Sequence, residues 1–157
     1  MADNLFPEDY ETETIDDDEV ESQGVVGYKP GVAFDAKLGD FIRDGQNQLQ
    51  DSTGIESWQS WVFNCLQTQR YAHLAYGTDF GIEYDKVFAA ESREEAENIL
   101  TRQITEAIMA DPYGRAAYVE DIEFEWPAAD AVQISATIVG IDDVTIDVTV
   151  YVTGGEQ

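Results

Sequence analysis

Val144-Thr145-Ile146-Asp147-Val148-Thr149-Val150-Tyr151-Val152 alternates apolar and polar residues at every step. A period of two places the two sets on opposite faces of a β-strand, so this stretch reads as a half-buried strand. Two more such runs precede it. Val132, Ile134, Ala136 and Ile138 alternate with Gln133, Ser135 and Thr137, and Ile122, Phe124 and Trp126 with Asp121, Glu123 and Glu125. Turn formers at Pro127–Asp130 and Gly140–Asp143 separate the runs. The pattern predicts a three-stranded antiparallel meander with one apolar face that needs a cover.

The cover lies upstream. Trp58, Trp61, Val62, Cys65 and Leu66 recur at helical offsets behind a capping-box pattern at Thr53–Glu56, which predicts a helix over about 54–69. Ala96, Ile99, Leu100, Ile104, Ala107 and Ile108 form a second stripe behind Ser92-Arg93-Glu94-Glu95. Asp111-Pro112 ends that helix near 110, because the residue before Pro is pushed out of the α region. Helices followed by strands argue for an α+β fold and against a doubly wound parallel sheet. Before the helices, Gly31–Asp35 and Asp40–Asp44 flank Ala36-Lys37-Leu38-Gly39 as a short β-hairpin, with Gln46–Gln50 as a third short strand. Residues 70–91 read as an irregular loop carrying Tyr71, Tyr76, Phe80, Tyr84 and Phe88. An irregular stretch of that length must pack through its aromatics or form an interface.

The chain of 157 residues has 33 acids and 8 bases, a net charge of −25. That excess excludes a surface built to neutralise nucleic-acid phosphates, and it opposes an anionic membrane. No apolar run exceeds four residues and no basic-then-apolar leader opens the chain, so neither a membrane span nor a secretory signal is expected. One Cys forms no internal disulfide and no multi-thiolate metal site. Residues 1–22 hold ten acids and no base, and read as a flexible acidic arm on a single α+β domain spanning 23–157. Within the arm, Leu5 and Phe6 before Pro7 are apolar enough to act as a short anchor; a frayed tail is the plainer reading.

Catalytic patterns are missing. Phosphate-binding glycine loops, a nucleophile elbow and a calcium loop do not occur. Cys65 lies on an apolar stripe and His73 sits between apolar neighbours, so both read as structural. Neither a cofactor nor a metal is expected, and the chain is read as a non-enzyme. Arg70 favours the end of the first helix and should hold a carboxylate, with Asp79 or Asp85 as candidates.

The ordered motifs resemble a family. Leu66-Gln67-Thr68-Gln69-Arg70-Tyr71, then Tyr76-Gly77-Thr78-Asp79-Phe80-Gly81, then a helix closed by Asp111-Pro112 before a β meander, are similar to the baseplate wedge or sheath-initiator proteins of contractile phage tails and phage-tail-like bacteriocins, a group that includes lysozyme-like wedge proteins and the XkdS-like branch. The likeness spans about residues 28–153. Where the family carries Glu-Pro-Arg after the second helix, this chain has Asp111-Pro112-Tyr113-Gly114-Arg115. The resemblance implies a structural protein of the virion tail baseplate or bacteriocin particle, made in the host cytoplasm. Its implied partners are the baseplate wedge protein, the tail sheath protein and the tail tube or hub protein. Arg115 is the candidate wedge contact, and Arg70, Tyr71, Tyr76 and Phe80 are candidates in the aromatic loop. The last strand supplies a physical route to the sheath. It is long, β-branched and free of Pro, so at a sheet edge it would accept a foreign strand through the segment carrying Val144, Ile146, Val148, Val150 and Val152. A central or covered position is the competing reading. A host adaptor of the same fold is the second functional reading, and a cell-wall glycosidase using Glu83 and Asp85 the third.

Overall fold

The computed structural model describes residues 28–35 and 37–155. Leu5, Phe6 and the acidic arm lie outside these residues. The fold is α+β. A three-stranded antiparallel sheet runs in the order β5 (Ala116–Ala128), β6 (Ala131–Gly140), β7 (Thr145–Thr153), as the alternation predicts. Its apolar face carries Ile134, Ile138, Val148 and Val150, all almost fully enclosed. Helix α1 (Gly54–Gln67) packs on β7, and α3 (Arg93–Met109) packs on β5. Trp58, Val62, Cys65 and Leu66 from α1 meet Leu100, Ile104 and Ile108 from α3 in one core. Each fully buried large aliphatic side chain contributes about 1.5–3 kcal/mol relative to exposure.

The cap of α1 forms as read. The Thr53 hydroxyl accepts from the Glu56 amide at 3.2 Å, and the Glu56 carboxylate accepts from the Thr53 amide at 2.8 Å. That second bond, with the Thr53 hydroxyl, draws the Glu56 carboxyl below its usual range. The cap of α3 departs from the reciprocal form. Ser92 accepts from the Glu95 amide, but Glu95 reaches past Ser92 to the amide of Glu91, at 2.9 Å.

Three expectations are corrected. The loop 70–91 contains a short helix, α2 (Tyr84–Phe88), pinned by Glu83–Lys86 at 2.8 Å and by Gln103, which donates to Glu83 at 3.0 Å. The third N-terminal strand is not at 46–50. Instead β4 (Asp51–Ser52) pairs with β1 (Gly31–Val32) and encloses the hairpin β2 (Phe34–Asp35) and β3 (Asp40–Phe41), while Leu49 makes only a single bridge to Arg43. The first meander strand begins at Ala116 rather than near Asp121, through two register shifts that break its alternation.

Tyr28 ties this N-terminal module to the body. Its ring lies 5.2 Å from that of Trp58, and its hydroxyl donates to Asp142 at 2.7 Å. Only glycine fits beneath it: a Cβ on Gly54 would come 1.9 Å from the Tyr28 carbonyl oxygen, and one on Gly140 1.9 Å from the Tyr28 hydroxyl.

Candidate functional site

Two surfaces carry the features a partner could use. The first is built around Arg115. Leaving α3, the chain places Asp111 and Arg115 in a buried bidentate pair, Nε to Oδ2 at 2.7 Å and Nη2 to Oδ1 at 2.9 Å. Asp111 also accepts from the amides of Tyr113 and Arg115. The guanidinium lies 5.5 Å from the Trp61 ring and 5.1 Å from that of Tyr113, within cation–π range. Trp61 is edge-on to Phe80 at 5.7 Å, and Phe80 lies 4.4 Å from Tyr76. Trp61, Tyr76 and Phe80 meet Ala107, Ala110 and Pro112 around a depression of about 330 Å³. Tyr76 and Tyr113 are half exposed, so this rosette combines apolar faces with hydroxyl tips.

The loop bearing Tyr76 and Phe80 is closed at its base. The Arg70 amide donates to the Ile82 carbonyl and the Ile82 amide to the Thr68 carbonyl, both at 2.9 Å. Arg70 is itself buried. Its Nε donates to the Gly81 carbonyl at 2.9 Å, and its nearest carboxylate is Glu106 at 4.0 Å. The expected partners Asp79 and Asp85 are therefore replaced by an acid on α3, because the loop folds back against that helix. Cys65 lies fully enclosed below, and burial pushes its thiol up to about 11. His73 is exposed and edge-on to Tyr76 at 5.6 Å.

The second surface is the outer edge of β7. Antiparallel pairs alternate between bonded and non-bonded. The Gly140 amide donates to the Val144 carbonyl, and at the other end the Gly154 amide donates to the Asp130 carbonyl. With the register between them, this fixes Ile146, Val148, Val150 and Val152 as the residues bonded to β6. The amides and carbonyls of Thr145, Asp147, Thr149, Tyr151 and Thr153 point the other way. Accordingly the Asp147 carbonyl accepts from Gln59 of α1 at 2.8 Å. Among the described residues no strand pairs with that edge. Beside it, between β7 and α1, runs a groove. One part, about 490 Å³, is lined by Phe34, Lys37, Phe63 and Thr149, and the next, about 570 Å³, by Asn64, His73 and Thr153; Gln67 and Tyr151 line both.

Comparison with known families decides between the readings. A model described as the contractile injection system sheath initiator matches residues 31–143, more than two thirds of the chain. The chain belongs to that family. No match was found among curated proteins. The family is a structural one, so the role of this sheath initiator is structural and lies in starting a contractile sheath. The glycosidase pair reads accordingly: Glu83 is engaged with Lys86 and Gln103, and Asp85 accepts from Gln69, so both hold α2 in place.

The structure brings Tyr76, Phe80 and Arg115 together. It adds Trp61, quoted only as part of the first helix stripe, and Tyr113, quoted only beside Asp111-Pro112; neither was a candidate contact. Tyr71 is exposed with φ +67° and stands outside this group of contacts. Ile146, Val148, Val150 and Val152 turn their side chains into the core, and Val144 is half-buried. What this strand presents outward belongs to the residues between them. Among the described residues no group of three or more side chains is placed to hold a metal ion, and no helix is long and apolar enough to cross a membrane.

Proposed function

We propose that this sheath initiator receives an extended segment of the first sheath ring on the outer edge of β7, while the rosette around Arg115 seats against the baseplate wedge protein beside the tail tube. The chain would then sit in the baseplate of a virion tail or bacteriocin particle and link wedge, tube and sheath. The observation that carries this reading is the edge itself: nine residues without a bulge, with the outward backbone groups of Thr145, Thr149, Tyr151 and Thr153 open to a partner. Main-chain bonding of this kind gives affinity, and flanking pockets give specificity. Arg115 acts by orienting Trp61 and Tyr113, since its guanidinium is engaged with Asp111. Arg70 holds the base of the loop that presents Tyr71, Tyr76 and Phe80. Leu5 and Phe6 are proposed as a tethered anchor; deletion of residues 1–22 with no change in wedge or sheath affinity would reject that part.

The edge is tested by capture of co-expressed sheath protein on the full chain. Thr149→Pro removes an outward donor without touching the β6 ladder, and should abolish capture while the circular-dichroism melt stays near that of the parent. Normal capture by a folded Thr149→Pro chain overturns the reading. Tails assembled without this protein should appear as naked tubes or sheathless baseplates.

A further inference from the structure

The β7 edge also constrains what kind of strand it can take, an inference that rests on strand addition there. A residue paired with β7 has its side chain on the same face as the β7 residue opposite it. Residues opposite Val148 and Val150 therefore enter the groove under α1, against Phe34 and Phe63. Residues opposite Asp147, Thr149 and Tyr151 stand on the outer sheet face. That face is acidic across its width: Asp121, Thr137 and Asp147 form one row, and Glu123, Ser135 and Thr149 the next. Residues 116–157 contain no Lys, Arg or His at all. Asp147 accepts from the neutral Thr137 hydroxyl at 2.8 Å, and none of the ion pairs among the described residues involves the sheet. Lys37 is the cation lining the groove, near its hairpin end.

We infer that the strand received at β7 alternates apolar residues, which fill the groove between β7 and α1, with lysine or arginine residues, which stand on the outer face beside Asp147. Its apolar half is selected by the aromatic walls. Its basic half is selected by an acidic face that has no internal counter-charge.

Fluorescence anisotropy with labelled synthetic peptides tests this on the full chain. A nine-residue alternating Val/Lys peptide is compared with Val/Glu and Ser/Lys versions, and with a Val/Lys peptide N-methylated along its pairing edge. The Val/Lys peptide should bind and lose affinity on N-methylation. Asp147→Asn should weaken it about two- to five-fold, the range of a cross-strand charge pair. Added salt should weaken it in the parent chain. N-methylation-sensitive binding in which the Val/Glu or Ser/Lys peptide matches Val/Lys, or in which Asp147→Asn has no effect, overturns this inference and leaves strand addition standing. Absence of binding by every peptide, or binding indifferent to N-methylation, overturns strand addition and this inference with it.

Discussion

The two outer strands of the sheet make an instructive pair. β5 is interrupted by register shifts at Ala116/Tyr118, Val119/Asp121 and Glu125/Ala128, carries Glu120, Asp121, Glu123 and Glu125, and includes Pro127. Bulges, charges and proline are the usual means of making an edge unreceptive. β7 keeps one register from Thr145 to Thr153, and its outward set is Thr, Asp, Thr, Tyr, Thr. The supports differ too. β5 is entered from the buried Asp111–Arg115 pair and buttressed by α3, where Trp126 donates to Glu97 at 3.0 Å and lies 4.7 Å beneath the Arg93 guanidinium. β7 is fixed by its core side chains, and among the described residues its outward backbone is met by the Gln59 amide. Among the described residues, one edge is bulged and braced and the other is regular and unpaired.

That contrast can be broken most severely at Arg115. Arg115→Ala strands the buried Asp111 carboxylate at the entry to β5, and should cost about 3–5 kcal/mol in chemical denaturation. The next test separates the two sides of β7. Val148→Pro takes a donor from the β6 ladder and leaves the Ala136 carbonyl buried and unpaired, a loss of about 1–3 kcal/mol. Thr149→Pro, one residue on, spares the ladder and loses the Ser135–Thr149 hydroxyl contact, and should cost no more than about 1 kcal/mol. Equal destabilisation by the two prolines would mean that the outer edge of β7 is not free. On the β5 side, Arg93→Ala removes the cation over Trp126 and should lower stability by about 0.5–1 kcal/mol, read as a shift in thermal midpoint. The smallest effect is expected at Gln59. Gln59→Ala should change stability by less than about 0.5 kcal/mol and leave sheath capture at least as strong as before.

Most of this architecture was legible in the residues, because period and burial agree wherever an element has one wet face. The valine run of β7, the stripes of α1 and α3 and the cap at Thr53 all follow from local chemistry. What was not legible depends on contacts far apart in the chain. α2 is five residues long, too short for a period, and is held by Gln103, a buried polar residue on a stripe that otherwise reads as apolar. The start of β5 was lost because its bulges displace the alternation. Arg70 found its carboxylate in Glu106 of α3 rather than in an acid of its own loop, since the fold and not the sequence sets that distance. At the rosette, motif order pointed to Tyr76, Phe80 and Arg115. Trp61 and Tyr113 became visible only when α1 and the segment after α3 were seen to converge on one guanidinium. The meander order followed from the alternation, whereas the outward parity of β7 came from its ladder hydrogen bonds and register.

On the proposed strand-addition reading, a sheet that is receptive along one rim and shut along the other has a built-in direction. It would head a row of pairings and would not be slotted into the middle of one. On the proposed reading, the bulges of β5 do more than protect a lone subunit from its own kind: they make this chain a first layer, from which growth proceeds one way only.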